Sequence, residues 1–205
     1  PPFFFFSFYA QPFVAAVKKR SPLWHDISLA SLHTGMRLSE VLGLRPQDVD
    51  LSNRLIHPDG KTGKRSIPMN DTLFETMRRV VDERKNSPLL FPSKKGTQMG
   101  ADSATNSFAR AVVDAKLNPP NVDRRHKVVF HTLRHTYCSW LAMSGVPLYV
   151  IGEMVGHSST EMTKRYSHLC PDKKNQTVNV VQGIFAKGKA EETEKLSMVA
   201  LAGKK

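Results

Sequence analysis

The side chains able to do chemistry gather in one stretch. It begins at His131-Thr132-Leu133-Arg134-His135, continues through Gly156-His157 and ends at Tyr166. Far upstream, Thr34-Gly35-Met36-Arg37-Leu38-Ser39-Glu40 sets another arginine beside an acid. A tyrosine hydroxyl can act as a protein-bound nucleophile and form a covalent ester. A planar guanidinium stays charged and donates two parallel hydrogen bonds to a phosphate. Two arginines therefore suit a phosphorus centre whose non-bridging oxygens gain charge in the transition state. A leaving oxygen needs a proton, which a lysine or histidine can give. Lys61 lies in the turn-forming run His57-Pro58-Asp59-Gly60-Lys61-Thr62-Gly63.

Charge supports an anionic partner. Of 205 residues, 30 are Lys or Arg against 18 Asp or Glu, a net charge of +12. An excess of that size favours nucleic acid first and an acidic membrane surface second. A hydrophobic content of 40% excludes a chain disordered by composition. Cys138 and Cys170 are the two cysteines, too few for a disulfide framework, so a reduced cytoplasmic setting is expected. The opening run Pro1 to Tyr9 is apolar, but it lacks a basic lead and breaks at Gln11-Pro12. It is too short to span a bilayer, and no other run reaches that length.

Each reactive residue also has a plain reading. Tyr166 could be a half-buried helix residue, and His157 a loop residue after glycine. Arg37 could answer a helix dipole, with Glu40 as its i+3 partner. Lys61 could be a solvated turn lysine. Two further patterns fail on inspection. His131 and His135 have metal-ligand spacing, but Thr132, Leu133 and Arg134 lie between them where a zinc protease needs a glutamate, and an arginine there opposes a cation. Asp59-Gly60-Lys61-Thr62 resembles the end of a phosphate-binding loop, but Leu55 stands where its first glycine belongs and a strand follows instead of a helix. No metal and no cofactor are expected.

The elements that must position these groups can be read in order. Ser21 caps and Pro22 opens a helix with Leu23, Ile27, Ala30 and Ser31 at helical spacing. It ends at Gly35 and delivers Arg37 at its exit. Leu38, Val41, Leu42 and Leu44 predict a short helix stopped by Pro46. Val49 with Leu51, Leu55-Ile56 and Ser66-Ile67 predict three short strands, with Lys61 on a basic hairpin tip. Asn70-Asp71 caps a helix striped by Leu73, Met77, Val80 and Val81, and Asp102-Ser103 opens one striped by Phe108, Ala111, Val112 and Ala115. A helix from Thr132 ends at Gly145. Another runs from Pro147 to Gly156, and a third, capped by Ser158-Ser159-Thr160, carries Tyr166 near its end. Val178, Val180, Val181, Ile184 and Phe185 predict a last amphipathic helix. The expected fold class is α+β, mainly α-helical, with a small three-stranded antiparallel sheet at one edge.

Taken together, Thr34 to Glu40, Lys61, His131 to His135, Val155-Gly156-His157 and Tyr166 resemble, in order and approximate separation, the motifs of the tyrosine recombinases. These are the lambda-integrase-like phage integrase family of site-specific DNA recombinases. The resemblance spans about residues 21–170 and implies their catalytic domain. Residues 1–20 then read as a linker or the remnant of an N-terminal domain, and 171–205 as a tail with a docking helix. The resemblance implies cleavage and rejoining of double-stranded DNA through a 3′-phosphotyrosyl intermediate, without metal or ATP, as in mobile elements and prophages. Arg37 and Arg134 would clamp the scissile phosphate. His131 would serve as general base or hydrogen-bond partner, and His157 would donate to a phosphate oxygen. Lys61 would protonate the leaving 5′-hydroxyl, and Tyr166 would be the nucleophile. Glu40 would support the first arginine, and His135 would buttress. Such enzymes work as tetramers on paired sites, sometimes with DNA-bending accessory proteins, in the bacterial cytoplasm. A type IB topoisomerase uses similar groups, but the Gly156-His157 to Tyr166 spacing favours a recombinase. A DNA-binding regulator without catalysis is disfavoured because every expected residue type is present.

Overall fold

The computed structural model describes residues 2–59, 65–118, 121–123 and 127–171. The described chain is mostly helical, in the order α1 (Pro2–Arg20), α2 (Pro22–Thr34), α3 (Leu38–Leu42), β1 (Val49–Asp50), β2 (Leu55–Ile56), β3 (Ile67–Pro68), α4 (Asp71–Arg84), α5 (Ala101–Asp114), α6 (Phe130–Met143), α7 (Leu148–Val155) and α8 (Thr160–Lys164). The described residues up to Cys170 form one compact unit. The helix predicted around 178–185, and Lys61 itself, lie outside the described residues. No helix among the described residues is long and apolar enough to cross a membrane.

Local signals in the sequence explain most element ends. Ser21 caps α2 by accepting from the Trp24 amide at 3.4 Å, and Pro22 fills the first turn, where a missing N–H does no harm. Asn70 caps α4 by accepting from the Leu73 amide at 3.0 Å. The sheet is antiparallel in the order β1-β2-β3, pairing Val49 with Ile56 and Ile56 with Ile67. Ile56 and Ile67 are fully buried, so the sheet is pinned to the helical body by one apolar face.

Two expectations change. Residues 2–20, in the stretch read as a linker or the remnant of an N-terminal domain, form helix α1, and Ala10, Phe13 and Val17 recur at helical spacing inside the core. Gln11-Pro12 had suggested a break, yet the proline sits within the helix and the buried face carries through it. Tyr166 lies beyond α8, which ends at Lys164, at the start of a 3₁₀ turn over Ser167–Leu169.

The core has two parts. The larger joins α1, α2, α4, α5 and the sheet. The smaller contains Tyr137, Cys138, Ala142, Ile151, Val155 and Tyr166. Helix α6 serves both, with Phe130 and Leu133 in the first and Tyr137, Cys138 and Ala142 in the second. Arg134 therefore emerges from the helix that joins them.

Candidate active site

The turn after α2 sets the first half of the site. Ser31 Oγ donates to the Met36 carbonyl at 2.9 Å, and the Met36 amide donates to Thr34 Oγ1 at 3.1 Å. Gly35 turns the chain in the left-handed region, with φ 67°. A Cβ there would stand 2.6 Å from Val155 Cγ1 and 2.8 Å from Tyr137 Cδ1, so only glycine fits. Its carbonyl accepts from Arg134 Nη1 at 2.7 Å.

Arg134 is 2% exposed, and its Nη2 is buried without a hydrogen bond among the described residues. Burial and the neighbouring Arg37 charge push its pKa down to about 10, which still leaves it cationic at neutral pH. A buried cation with an unspent donor is costly by itself and well matched to an anion.

Arg37 stands at the start of α3. Its amide donates to Glu40 Oε2 at 2.8 Å and its Nη1 to Oε1 at 3.1 Å. Its Nη2 donates to the Gly156 carbonyl at 3.1 Å, at the far end of α7. Glu40, 4% exposed, also receives both Nη nitrogens of Arg65, at 3.0 and 2.9 Å. Burial would raise the Glu40 pKa, but hydrogen bonds from Arg65 and the Arg37 backbone, with both positive charges, outweigh it and hold the carboxyl below its ordinary value. Arg65 Nε reaches the Met154 carbonyl at 3.2 Å. The two arginines thus satisfy carbonyls at the negative end of α7.

His157 follows directly. Gly156 takes the left-handed conformation, φ 68°, and the His157 amide donates to the Gly152 carbonyl at 2.9 Å. Its Nδ1 pairs with the buried Thr163 hydroxyl at 2.7 Å, which fixes the ring and leaves Nε2 as the nitrogen for a ligand. Burial, then the charges of Arg134 and Arg37, push its pKa down to about 4. His131 is exposed as a residue. Desolvation of its imidazole, with the charges of Arg134, Arg37 and Arg165, lowers its pKa as well. Its ring meets that of His135 edge to face, centroids 4.6 Å apart.

Tyr166 is 1% exposed and sits in the smaller core. Its hydroxyl lies 2.5 Å from His135 Nδ1 and also hydrogen-bonds the Cys138 thiol. Burial pushes the His135 pKa down to about 4, helped by nearby His131 and Arg165. His135 is therefore neutral at physiological pH and can accept the phenol proton. Burial, and then Cys138, raise the Tyr166 pKa above its ordinary value, so the phenol is protonated.

The fold thus brings Arg37, Arg134, His131 and His157 within electrostatic reach of one another, with Tyr166 joined to them through His135. Sequence reasoning missed Arg65, Thr163 and the Cys138 contact. Arg65 stands two residues before the buried Ile67 but outside β3, and its partners Glu40 and Met154 lie 25 and 89 residues away.

The sequence profile of the phage integrase family matches residues 14–173. The chain belongs to that family, as the five motifs implied. The integrase of Salmonella phage P22 is 28% identical over 174 residues, covering 81% of this chain and 44% of that protein. The catalytic domain of bacteriophage HP1 integrase is 28% identical, with a TM-score of 0.60, over 83% of this chain and 90% of that one. The transposon Tn1549 integrase, solved with transposon right end DNA, is 25% identical with a TM-score of 0.68, over 86% of this chain and 64% of that one. The chain spans less than half the length of the curated relatives it matches.

Proposed function

We propose that this chain is the catalytic domain of a site-specific recombinase that cuts and rejoins double-stranded DNA through a 3′-phosphotyrosyl ester. The observation that carries the reading is the pairing of two guanidiniums from opposite ends of the domain. Arg134 is anchored on the Gly35 carbonyl with a buried donor to spare, and Arg37 is braced by Glu40 two residues beyond that glycine. Support for a duplex partner comes from the net charge and from the DNA-bound Tn1549 integrase.

In this reading Arg37 and Arg134 hold the non-bridging oxygens of the scissile phosphate, and His157 Nε2 adds a hydrogen bond. Tyr166 leaves its buried seat and attacks phosphorus, its proton passing to a neutral histidine, His131 at the rim or His135 behind it. The P–O5′ bond breaks, and Lys61 gives the departing 5′-oxygen a proton. The phosphotyrosyl ester keeps the energy of the broken bond, so rejoining needs neither ATP nor a metal ion. The working unit is a tetramer on paired sites, aided in some reactions by DNA-bending proteins, in the bacterial cytoplasm. The test is a nicked duplex that traps the covalent adduct. Tyr166→Phe should yield no adduct while binding the same duplex within about threefold of the parent. An adduct that survives this change removes Tyr166 as the nucleophile.

A further inference from the structure

Arg65 is placed by the sequence only as a neighbour of Lys61, one more basic residue on the stem of a hairpin. Its surroundings give it a different task. Its side chain is 11% exposed, and each of its three nitrogens is engaged. Nη1 and Nη2 grip the two oxygens of Glu40 side by side, the fork geometry that a lysine cannot reproduce. Nε holds the Met154 carbonyl. With three of its five N–H donors used and its side chain mostly buried, this guanidinium is less available to a phosphate than that of Arg37, whose side chain is 31% exposed.

The same two carboxylate oxygens hold Arg37. Oε1 is shared by Arg37 Nη1 and Arg65 Nη1, and Oε2 by the Arg37 amide and Arg65 Nη2. Glu40 is thus clamped between two guanidiniums, Arg37 the more exposed and Arg65 the more buried. Arg37 also holds Gly156, the residue before His157, while Arg65 holds Met154 two residues earlier. Without Arg65, a nearly buried carboxylate would keep only Arg37 as its cation and could turn with it. The end of α7 would lose one of its two ties.

Building on the recombinase reading, we infer that Arg65 is a positioning residue for Arg37: acting through Glu40, it fixes the guanidinium that meets the scissile phosphate. It touches neither the phosphate nor the leaving group. Its loss should therefore look like the loss of Arg37, and unlike the loss of a proton donor.

Substrate chemistry separates these cases. A methylphosphonate at the scissile position replaces a charged non-bridging oxygen with methyl, so it depends less on a guanidinium. A 5′-bridging sulfur leaves without needing a proton, so it depends less on a general acid. A suitable nicked duplex can be selected from random sequences by covalent capture on the wild-type chain, then made in three forms: phosphodiester, methylphosphonate and 5′-thio. Adduct formation is measured for wild type, Arg37→Ala, Arg65→Lys and Arg65→Gln. Each rate is taken as a ratio within one protein preparation, so partial unfolding lowers every rate equally and cancels.

The expected result is that Arg65→Gln raises the methylphosphonate-to-phosphodiester ratio by at least about tenfold, as Arg37→Ala does, with Arg65→Lys between it and wild type. The 5′-thio ratio should stay near the wild-type value. Equal losses on all three duplexes would reduce Arg65 to a purely structural role and overturn the inference. Recovery on the 5′-thio duplex instead would assign it to the leaving-group side and overturn it equally. If the wild-type chain captures no duplex at all, the recombinase reading falls and takes this inference with it.

Discussion

Replacing Gly35 with alanine tests how one turn joins stability to the site. Two separate penalties can be worked from the structure. The residue sits at φ 67°, where an L side chain costs about 1–2 kcal/mol. The new methyl would also meet Val155 Cγ1 at 2.6 Å and Tyr137 Cδ1 at 2.8 Å, both on buried residues. Overpacking of that kind costs about 1–3 kcal/mol, because the neighbours must leave their rotamers or their helices must part. The sum is a destabilisation of about 2–5 kcal/mol. Relief by moving Val155 would disturb the end of α7 just before Gly156 and His157, and relief by moving the turn would shift the carbonyl that anchors Arg134. Urea titration followed by circular dichroism measures the first effect, and adduct formation at a temperature where the variant is still folded measures the second. A loss below about 1 kcal/mol, with adduct formation intact, would refute the claim that this turn has no room for a side chain.

Other outcomes follow from the same geometry. Thr163→Val removes the partner of His157 Nδ1 and should slow adduct formation about tenfold while lowering stability by only about 1 kcal/mol; an unchanged rate would show that Thr163 does not orient the ring. Stability should also fall in mild acid. His135 and His157 are pushed down to about 4 in the fold, whereas an unfolded imidazole titrates near about 6.5, so the unfolded chain binds more protons between those values. Their contribution is full above about pH 6.5 and is lost as the pH falls toward 4, with His135 alone accounting for at most about 3 kcal/mol. Urea midpoints at about pH 7 and about pH 5 should differ, and less so in His135→Asn; equal midpoints in the parent would contradict the burial argument. Binding to duplex DNA should weaken steeply and linearly in log salt, because each phosphate contact releases a counterion. A nearly flat salt dependence, read by fluorescence anisotropy, would remove the case for phosphate contacts.

What could be read in the chain divides along physical lines. Caps and turns are local, so Ser21-Pro22, Asn70 and Gly156 could be placed from their neighbours alone, and so could the i+3 pairing of Arg37 with Glu40. The short strands showed themselves through apolar pieces between turn residues. Arg65, by contrast, meets Glu40 and Met154 only once the chain has folded, and nothing near it in sequence announces those partners. The seat of Tyr166 beside His135 and Cys138 is likewise a product of α6 folding against the turn after α8. Helix α1 was hidden for another reason: a proline that usually ends helices lies inside one, and the buried face of Phe13 and Val17 outweighs it.

The burial of Tyr166 bears on the choice of controls and on drift in sequence. Its ring fills space among Ile151, Val155 and Ala142, so removing the side chain altogether would hollow that cluster, at about 3–5 kcal/mol for a large aromatic. An alanine variant would then report on folding as much as on chemistry, whereas phenylalanine keeps the filling and discards only the hydroxyl. The same double duty acts over generations. On the proposed recombinase function, a descendant that had stopped reacting with DNA would still be held to an aromatic residue at this position by packing alone. The informative atom in such a descendant is the oxygen.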